Sequence, residues 1–169
     1  MMKPPLILTI ALDKKDAGYF NQLRQQYFPA ERNFIDAHLT LFHALPNEPS
    51  VLEDVSRFCA NQRPFEITVL SPVSIGKGVA FKLESEALML LHKAMQQQWF
   101  DVLSLQDRHK IWPHITVQNK VTVAEVSQTL SVLKENFTSF KIPAPGLQLW
   151  EYLNGPWKFL TAFSFMEPV

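Results

Sequence analysis

Residues 36–46 read DAHLTLFHALP, and residues 112–120 read WPHITVQNK. Each stretch holds His, one apolar residue and Thr inside an alternating run. Such alternation marks a half-buried β-strand, in which residues i and i+2 share a face. His38, Thr40 and Phe42 are therefore expected on one face of the first strand, and Leu39, Leu41 and His43 on the other. In the second strand His114, Thr116 and Gln118 share a face, opposite Ile115 and Val117. The apolar sets belong against helices. The polar sets must face water or a cleft.

Working outward, residues 6–12 form an apolar run that is expected to be a strand rather than an export signal, because Asp13, Lys14 and Lys15 follow it. Residues 16–28 carry Phe20, Leu23 and Tyr27 at helical spacing, and Pro29 ends the pattern. Ser50 and Glu53 match a capping box ahead of Val51, Leu52, Val55, Phe58 and Cys59. Thr122 and Glu125 match a second box, ahead of Val126, Leu130, Leu133 and Phe137. A further helix over 86–100 shows Leu88, Leu91 and Met95. Strands are expected over 65–73, 79–83, 111–118, 140–142, 147–153 and 157–163, with Asn154-Gly155 as a hairpin turn.

This order repeats. Each half runs strand, helix, strand with His-x-Thr, helix, strand, with a period of about 75 residues, too long for a solenoid. The repeat halves fall roughly at 1–75 and 76–169. No linker separates them, so residues 1–169 read as one bilobed domain. Two similar lobes can bring their polar strand faces together across one cleft.

Bulk composition narrows the partners. With 16 basic and 16 acidic residues the formal charge is zero, which argues against gripping long duplex nucleic acid by charge. A nucleotide or one RNA end is still compatible. No apolar run reaches the ~18 residues of a membrane span. The single cysteine, Cys59, cannot form an internal disulfide; it is compatible with a reducing compartment.

Two imidazoles and two hydroxyls converging suit phosphodiester chemistry. One histidine takes a proton while the other gives one. The threonines hold the non-bridging oxygens, where charge gathers in the transition state. No metal or cofactor is required, and no Cys or Glu spacing suggests a zinc site. The rival readings are a module that binds a nucleotide or RNA end without turnover, and a purely structural repeat with buried histidines.

HLT at 38–40 and HIT at 114–116 resemble the paired motifs of the 2H phosphoesterases, and the resemblance covers nearly the whole chain. It implies an α+β fold of two pseudo-symmetric lobes, each an antiparallel sheet flanked by helices, around a central cleft. It implies His38 and His114 as the catalytic acid–base pair, with Thr40 and Thr116 on the phosphate. It also implies a cytoplasmic enzyme that opens 2′,3′-cyclic phosphates or makes and breaks 2′-5′ linkages. The second motif ends in Val where the family favours Leu.

Other residues are weighed by the same strand logic. Phe42 either stacks on a base or packs between sheets; Gln118 either reads a base edge or faces solvent. His43 is expected to turn away from the cleft, as a structural residue or one that holds a loop. His92 is expected on the surface and His109 in solvent. Arg32, Lys77, Arg108 and Lys120 are the cations to inspect for phosphate contacts. Trp150, Tyr152 and Trp157 can line the cleft mouth or pack in the core.

Overall fold

The computed structural model describes residues 2–167. Its strands are β1 (Leu6–Ile10), β2 (Leu39–Leu45), β3 (Phe65–Ser74), β4 (Val79–Glu84), β5 (His114–Gln118), β6 (Phe140–Ala144), β7 (Gly146–Tyr152) and β8 (Trp157–Ser164). Its α-helices are α1 (Lys14–Tyr27), α2 (Pro49–Ala60), α3 (Glu86–Trp99) and α4 (Val123–Glu135). The strands form two four-stranded sheets, ordered β2-β1-β7-β8 and β5-β4-β3-β6. Every pairing is antiparallel. The chain is therefore α+β with two four-stranded antiparallel sheets, as the family resemblance implied.

The sequence halves do not map one to one onto the sheets. β3, from the first half, pairs with β4 and β6 of the second sheet, and β7 and β8 of the second half complete the first. Helix α1 also crosses over: Phe20 meets Phe81 of β4 edge-on at 5.5 Å, and Phe81 meets Phe137 at 5.6 Å. One cluster of buried apolar residues draws on both sheets, from Leu8 and Leu149 to Val69 and Ile115. This exchange places β2 at one edge of its sheet and β5 at the equivalent edge of the other.

Local chemistry sets the helix ends. Asp13 accepts the Asp16 amide and starts α1 earlier than its apolar periodicity does. Thr122 and Glu125 form the reciprocal capping box ahead of α4. Ser50 and Glu53 do not form one, contrary to expectation. Pro49 occupies the first turn of α2, where its missing N–H costs nothing, and the cap position falls on Glu48 without a side-chain bond. Asn154 and Gly155 both have positive φ, as the β7–β8 hairpin requires. Gly78 is needed for another reason: a Cβ there would lie 1.9 Å from the Gln118 carbonyl oxygen.

Candidate active site

Both motif strands are edge strands, and in both the register slips just after the motif threonine. Thr9 pairs with Thr40 while Leu8 pairs with Phe42, so Leu41 is an extra residue. Ala80 pairs with Thr116 while Val79 pairs with Gln118, so Val117 is the extra residue there. Directly paired residues share a sheet face. Each slip therefore puts the residue two after the threonine on the opposite face, as bulges do.

That geometry corrects both outer cleft assignments. Phe42 is fully buried, stacked on His92 at 4.6 Å and meeting Trp99 edge-on at 5.3 Å. Gln118 is buried against α4, where its Nε2 donates to Thr129 Oγ1 at 2.8 Å; its Oε1 is buried without a partner. Neither faces the cleft. His92 is likewise not on the surface. It is buried, with its Nε2–H donating to the Leu41 carbonyl at 3.1 Å. Its place on α3, four residues after Leu88 and three before Met95, puts it in the buried stripe.

The motif histidines are held alike. His38 Nδ1 lies 2.8 Å from the Asp36 carbonyl oxygen, and His114 Nδ1 lies 2.6 Å from that of Trp112. A carbonyl only accepts, so each Nδ1 carries the hydrogen and each Nε2 is left with the lone pair. An aromatic ring covers each imidazole: Trp157 at 4.5 Å from His38, and Trp112 stacked at 4.3 Å on His114. Trp157 in turn abuts Trp150, whose indole donates to Thr9 Oγ1 at 3.0 Å.

Both imidazoles lie below the ordinary imidazole value. His38 retains some open surface, but crowding by protein pushes its pKa down to about 4, chiefly through burial. Arg24, His114 and His43 add repulsion, against the opposing bond to Asp36. His114 is also lowered, by burial first and then by His43. The two histidines are thus close enough to feel each other's charge. β2 and β5 approach one another directly.

Two buried ions from opposite halves close the facing edges. Arg24 of α1 donates to the Thr116 carbonyl of β5 at 2.9 Å and to Asn33 Oδ1 at 3.1 Å, with its guanidinium over the Phe28 ring. Asp107, in a 3₁₀ turn of the second half, accepts the His43 and Ala44 amides of β2, each at 2.9 Å, and His43 Nδ1 at 3.0 Å. These amides lie at a second slip of β2, between the pairs Leu6–Leu45 and Leu8–Phe42. The bonds hold Asp107 ionised, below the usual carboxylate range, against its burial. No sequence pattern marked Arg24 or Asp107, because each acts on backbone of the other half.

The histidines open onto two hollows. His38 lines a cavity of about 390 Å³ with Phe34, Asn21, Gln148, Trp150 and Trp157. His114 lines one of about 160 Å³ with Thr40, His43, His92 and Trp112. His43 thus does not turn from the cleft as alternation implied, although it does hold the Asp107 loop. Thr116 is half-buried between its strand neighbours. Trp150 and Trp157 line the first hollow; Tyr152 lines neither. Arg108 sits over the Phe100 ring at 4.9 Å. Among the described residues no three His, Cys, Asp or Glu side chains converge as a metal site. None of the described helices is long and apolar enough to cross a membrane.

A family model described as the 2′-5′ RNA ligase superfamily matches residues 12–156. Solved structures share the fold at low identity. TT0787 of Thermus thermophilus is 16% identical with a TM-score of 0.69, over 95% of this chain and 97% of that one. E. coli LigT complexed with 3′-AMP is 16% identical with a TM-score of 0.62, over 98% of this chain and 99% of that one. LigT complexed with NADP+ gives 16% and 0.63, over 99% and 100%. No curated protein matches the chain.

Proposed function

The chain belongs to the 2′-5′ RNA ligase superfamily, and from that premise we propose that it hydrolyses a 2′,3′-cyclic phosphate at an RNA end or on a small nucleotide. The carrying observation is the paired restraint of the motif histidines. Both Nδ1 atoms are committed to a carbonyl two residues back, and both Nε2 atoms are left for proton transfer. That is the arrangement one base and one acid need.

His38 is the base in this reading. It is neutral at pH 7, its pKa lowered to about 4 by burial and by Arg24, His114 and His43. Its Nε2 takes the proton of a water whose oxygen attacks phosphorus. His114 gains proton affinity when the anionic phosphate lies beside it, because an opposite charge favours the imidazolium. It gives that proton to the ribose oxygen as the P–O bond breaks. Proton exchange with solvent resets the pair. Thr40 and Thr116 hold the non-bridging oxygens and stabilise their growing charge. With a ribose hydroxyl in place of water, the same two transfers make or break a 2′-5′ phosphodiester.

The nucleoside fits the 390 Å³ hollow beside His38, where Phe34 and Trp157 offer ring faces and Gln148 an amide. The LigT structures with 3′-AMP and NADP+ agree with a nucleotide ligand for the family fold. The reading needs no metal and puts the protein in the cytoplasm. Cys59 is then a structural thiol, its pKa pushed up to about 12 by burial.

The test is a screen of 2′,3′-cyclic mononucleotides, cyclic-ended oligonucleotides and 2′-5′ dinucleotides, with the position of the product phosphate identified. Turnover that survives a chelator and is lost on His38→Ala or His114→Ala supports the reading. Wild-type binding without turnover of any of these substrates replaces it with a binding module.

A further inference from the structure

We propose that His43 is a third histidine of the active site, held by Asp107 so that its Nε2–H donates to a phosphoryl oxygen beside Thr40 and His114. What the bond does for the reaction rests on the phosphoesterase reading; the contact with phosphate does not.

The slip at Leu41 brings His43 to this place. It turns Phe42 to the buried face, so the next residue along the strand returns to the face of Thr40. At the second slip of β2, His43 and Ala44 together stand opposite Ile7. Their amides are thereby free for Asp107. Asp107 is itself fixed. Its amide donates to Ser104 Oγ at 3.3 Å, and Gln96 of α3 donates to the Asp107 and His109 carbonyls at 2.9 and 2.8 Å. A carboxylate only accepts, so His43 Nδ1 carries a hydrogen and Nε2 is the nitrogen left over. His38 and His114 rest instead on neutral carbonyls.

His43 lines the same hollow of about 160 Å³ as Thr40 and His114, and its side chain is 45% exposed. A histidine that serves structure alone looks like His92, buried with its Nε2–H on the Leu41 carbonyl and its face on Phe42. The charge of His43 is felt at both motif histidines, so it lies within reach of the two. An anionic phosphate calls for a cation, and most others are elsewhere. Arg32, Lys77 and Lys120 line a groove that shares no residue with either histidine hollow. Arg108 lies on the Phe100 ring, and Arg24 donates to the Thr116 carbonyl and to Asn33. Lys110 lines the hollow but is exposed, and no carboxylate among the described residues holds it in place. With Nδ1–H on Asp107 and Nε2–H on a phosphoryl oxygen, the His43 ring carries both hydrogens and sits as a cation between two anions. Its proton stays on the ring, and His38 and His114 still make the two transfers. The bond holds charge that grows on the oxygen as water adds to phosphorus.

Asparagine and glutamine separate the two ring nitrogens. The amide of His43→Asn stands where Nδ1 does and keeps the bond to Asp107. The amide of His43→Gln reaches toward the place of Nε2 and gives that bond up. Tm is measured for wild type and both variants, with kcat and KM on the 2′,3′-cyclic mononucleotide that wild type turns over fastest. His43→Asn is expected to keep the wild-type Tm and to lose about 10²-fold in kcat, the scale of one oxyanion donor. His43→Gln is expected to melt lower yet to recover about tenfold in kcat over His43→Asn. In parallel, heteronuclear NMR of the imidazole nitrogens follows a titration of wild type with inorganic phosphate, in which His43 Nε2 should gain a hydrogen and shift. His43→Asn as active as wild type, or more active than His43→Gln, overturns the contact. A His43 Nε2 that phosphate leaves unmoved also overturns it, and this response decides if both variants lose activity alike. If wild type turns over no cyclic-ended substrate, but phosphate moves Nε2 and binds His43→Asn more weakly, the contact stands and the phosphoesterase reading falls.

Discussion

β2 and β5 occupy equivalent edges of equivalent sheets, carry the same motif and slip register at the same place, yet their exposed edges are closed by opposite charges. A carboxylate, Asp107, caps amides of β2; a guanidinium, Arg24, caps a carbonyl of β5. An edge strand must have its free groups satisfied or invite other strands. Each half does this for the other with a buried ion. The consequence is electrical asymmetry in a geometrically symmetric site. The cation lies close enough to His38 to help depress its pKa, whereas His114 has no such neighbour among the causes of its shift. Symmetry supplies two similar imidazoles; burial lowers both, and Arg24 adds to the lowering at His38 alone.

Removing either imidazole breaks the pair most severely. His38→Ala and His114→Ala should each lower kcat by about 10³-fold in a cyclic-phosphate assay, since a positioned acid or base contributes about 10²–10⁴. The double variant should be scarcely worse than either single one, because the residues act as a unit. Thr40→Val and Thr116→Val should each cost about 10²-fold in kcat, on the scale of one oxyanion donor. An effect of either valine variant on KM alone would remove the threonines from the transition state.

The bulge residues sharpen the comparison in stability rather than rate. Phe42 and Gln118 are equivalent, but one is a ring stacked on His92 and the other an amide with an orphaned oxygen. Phe42→Ala should cost about 3–5 kcal/mol in denaturant unfolding. Gln118→Leu with Thr129→Val should be neutral or stabilising, because both partners of the buried bond go together and the unpaired oxygen goes with them.

Most of the secondary structure, including the two His-x-Thr strands, was legible because it rests on local periodicity. Alternation placed His38 with Thr40 and His114 with Thr116, and Asn154-Gly155 and Thr122–Glu125 were read from turn and cap chemistry alone. Alternation failed one step beyond each threonine. A bulge depends on the register of the partner strand, and neither β1 nor β4 announces it in sequence. His43, Phe42 and Gln118 were misplaced for that reason. His92 was legible in principle from its spacing to Leu88 and Met95, but its polarity argued for the surface. The crossing of β3, β7 and β8 between sheets follows from packing, which no single segment encodes.

The smallest expected effect is on pH dependence. His38 and His92 both lie below the ordinary imidazole value of 6.5, His38 at about 4. As pH falls from about 6.5 toward 4 the unfolded chain binds protons that the native state excludes, so stability falls through that window. His38→Asn should flatten the decline in Tm. Arg24→Met should raise the His38 pKa and move the acidic limb of the pH–rate profile toward neutrality. An unmoved limb would separate Arg24 from the proposed base.

The central claim is that His38 takes a proton and His114 gives one. A cyclic substrate whose leaving ribose oxygen is replaced by sulfur tests it directly, because a thiolate departs without being protonated. His114→Ala should hydrolyse this substrate at close to the wild-type rate, while His38→Ala stays inactive on it. Rescue of both variants, of neither, or of His38→Ala alone would contradict the assignment.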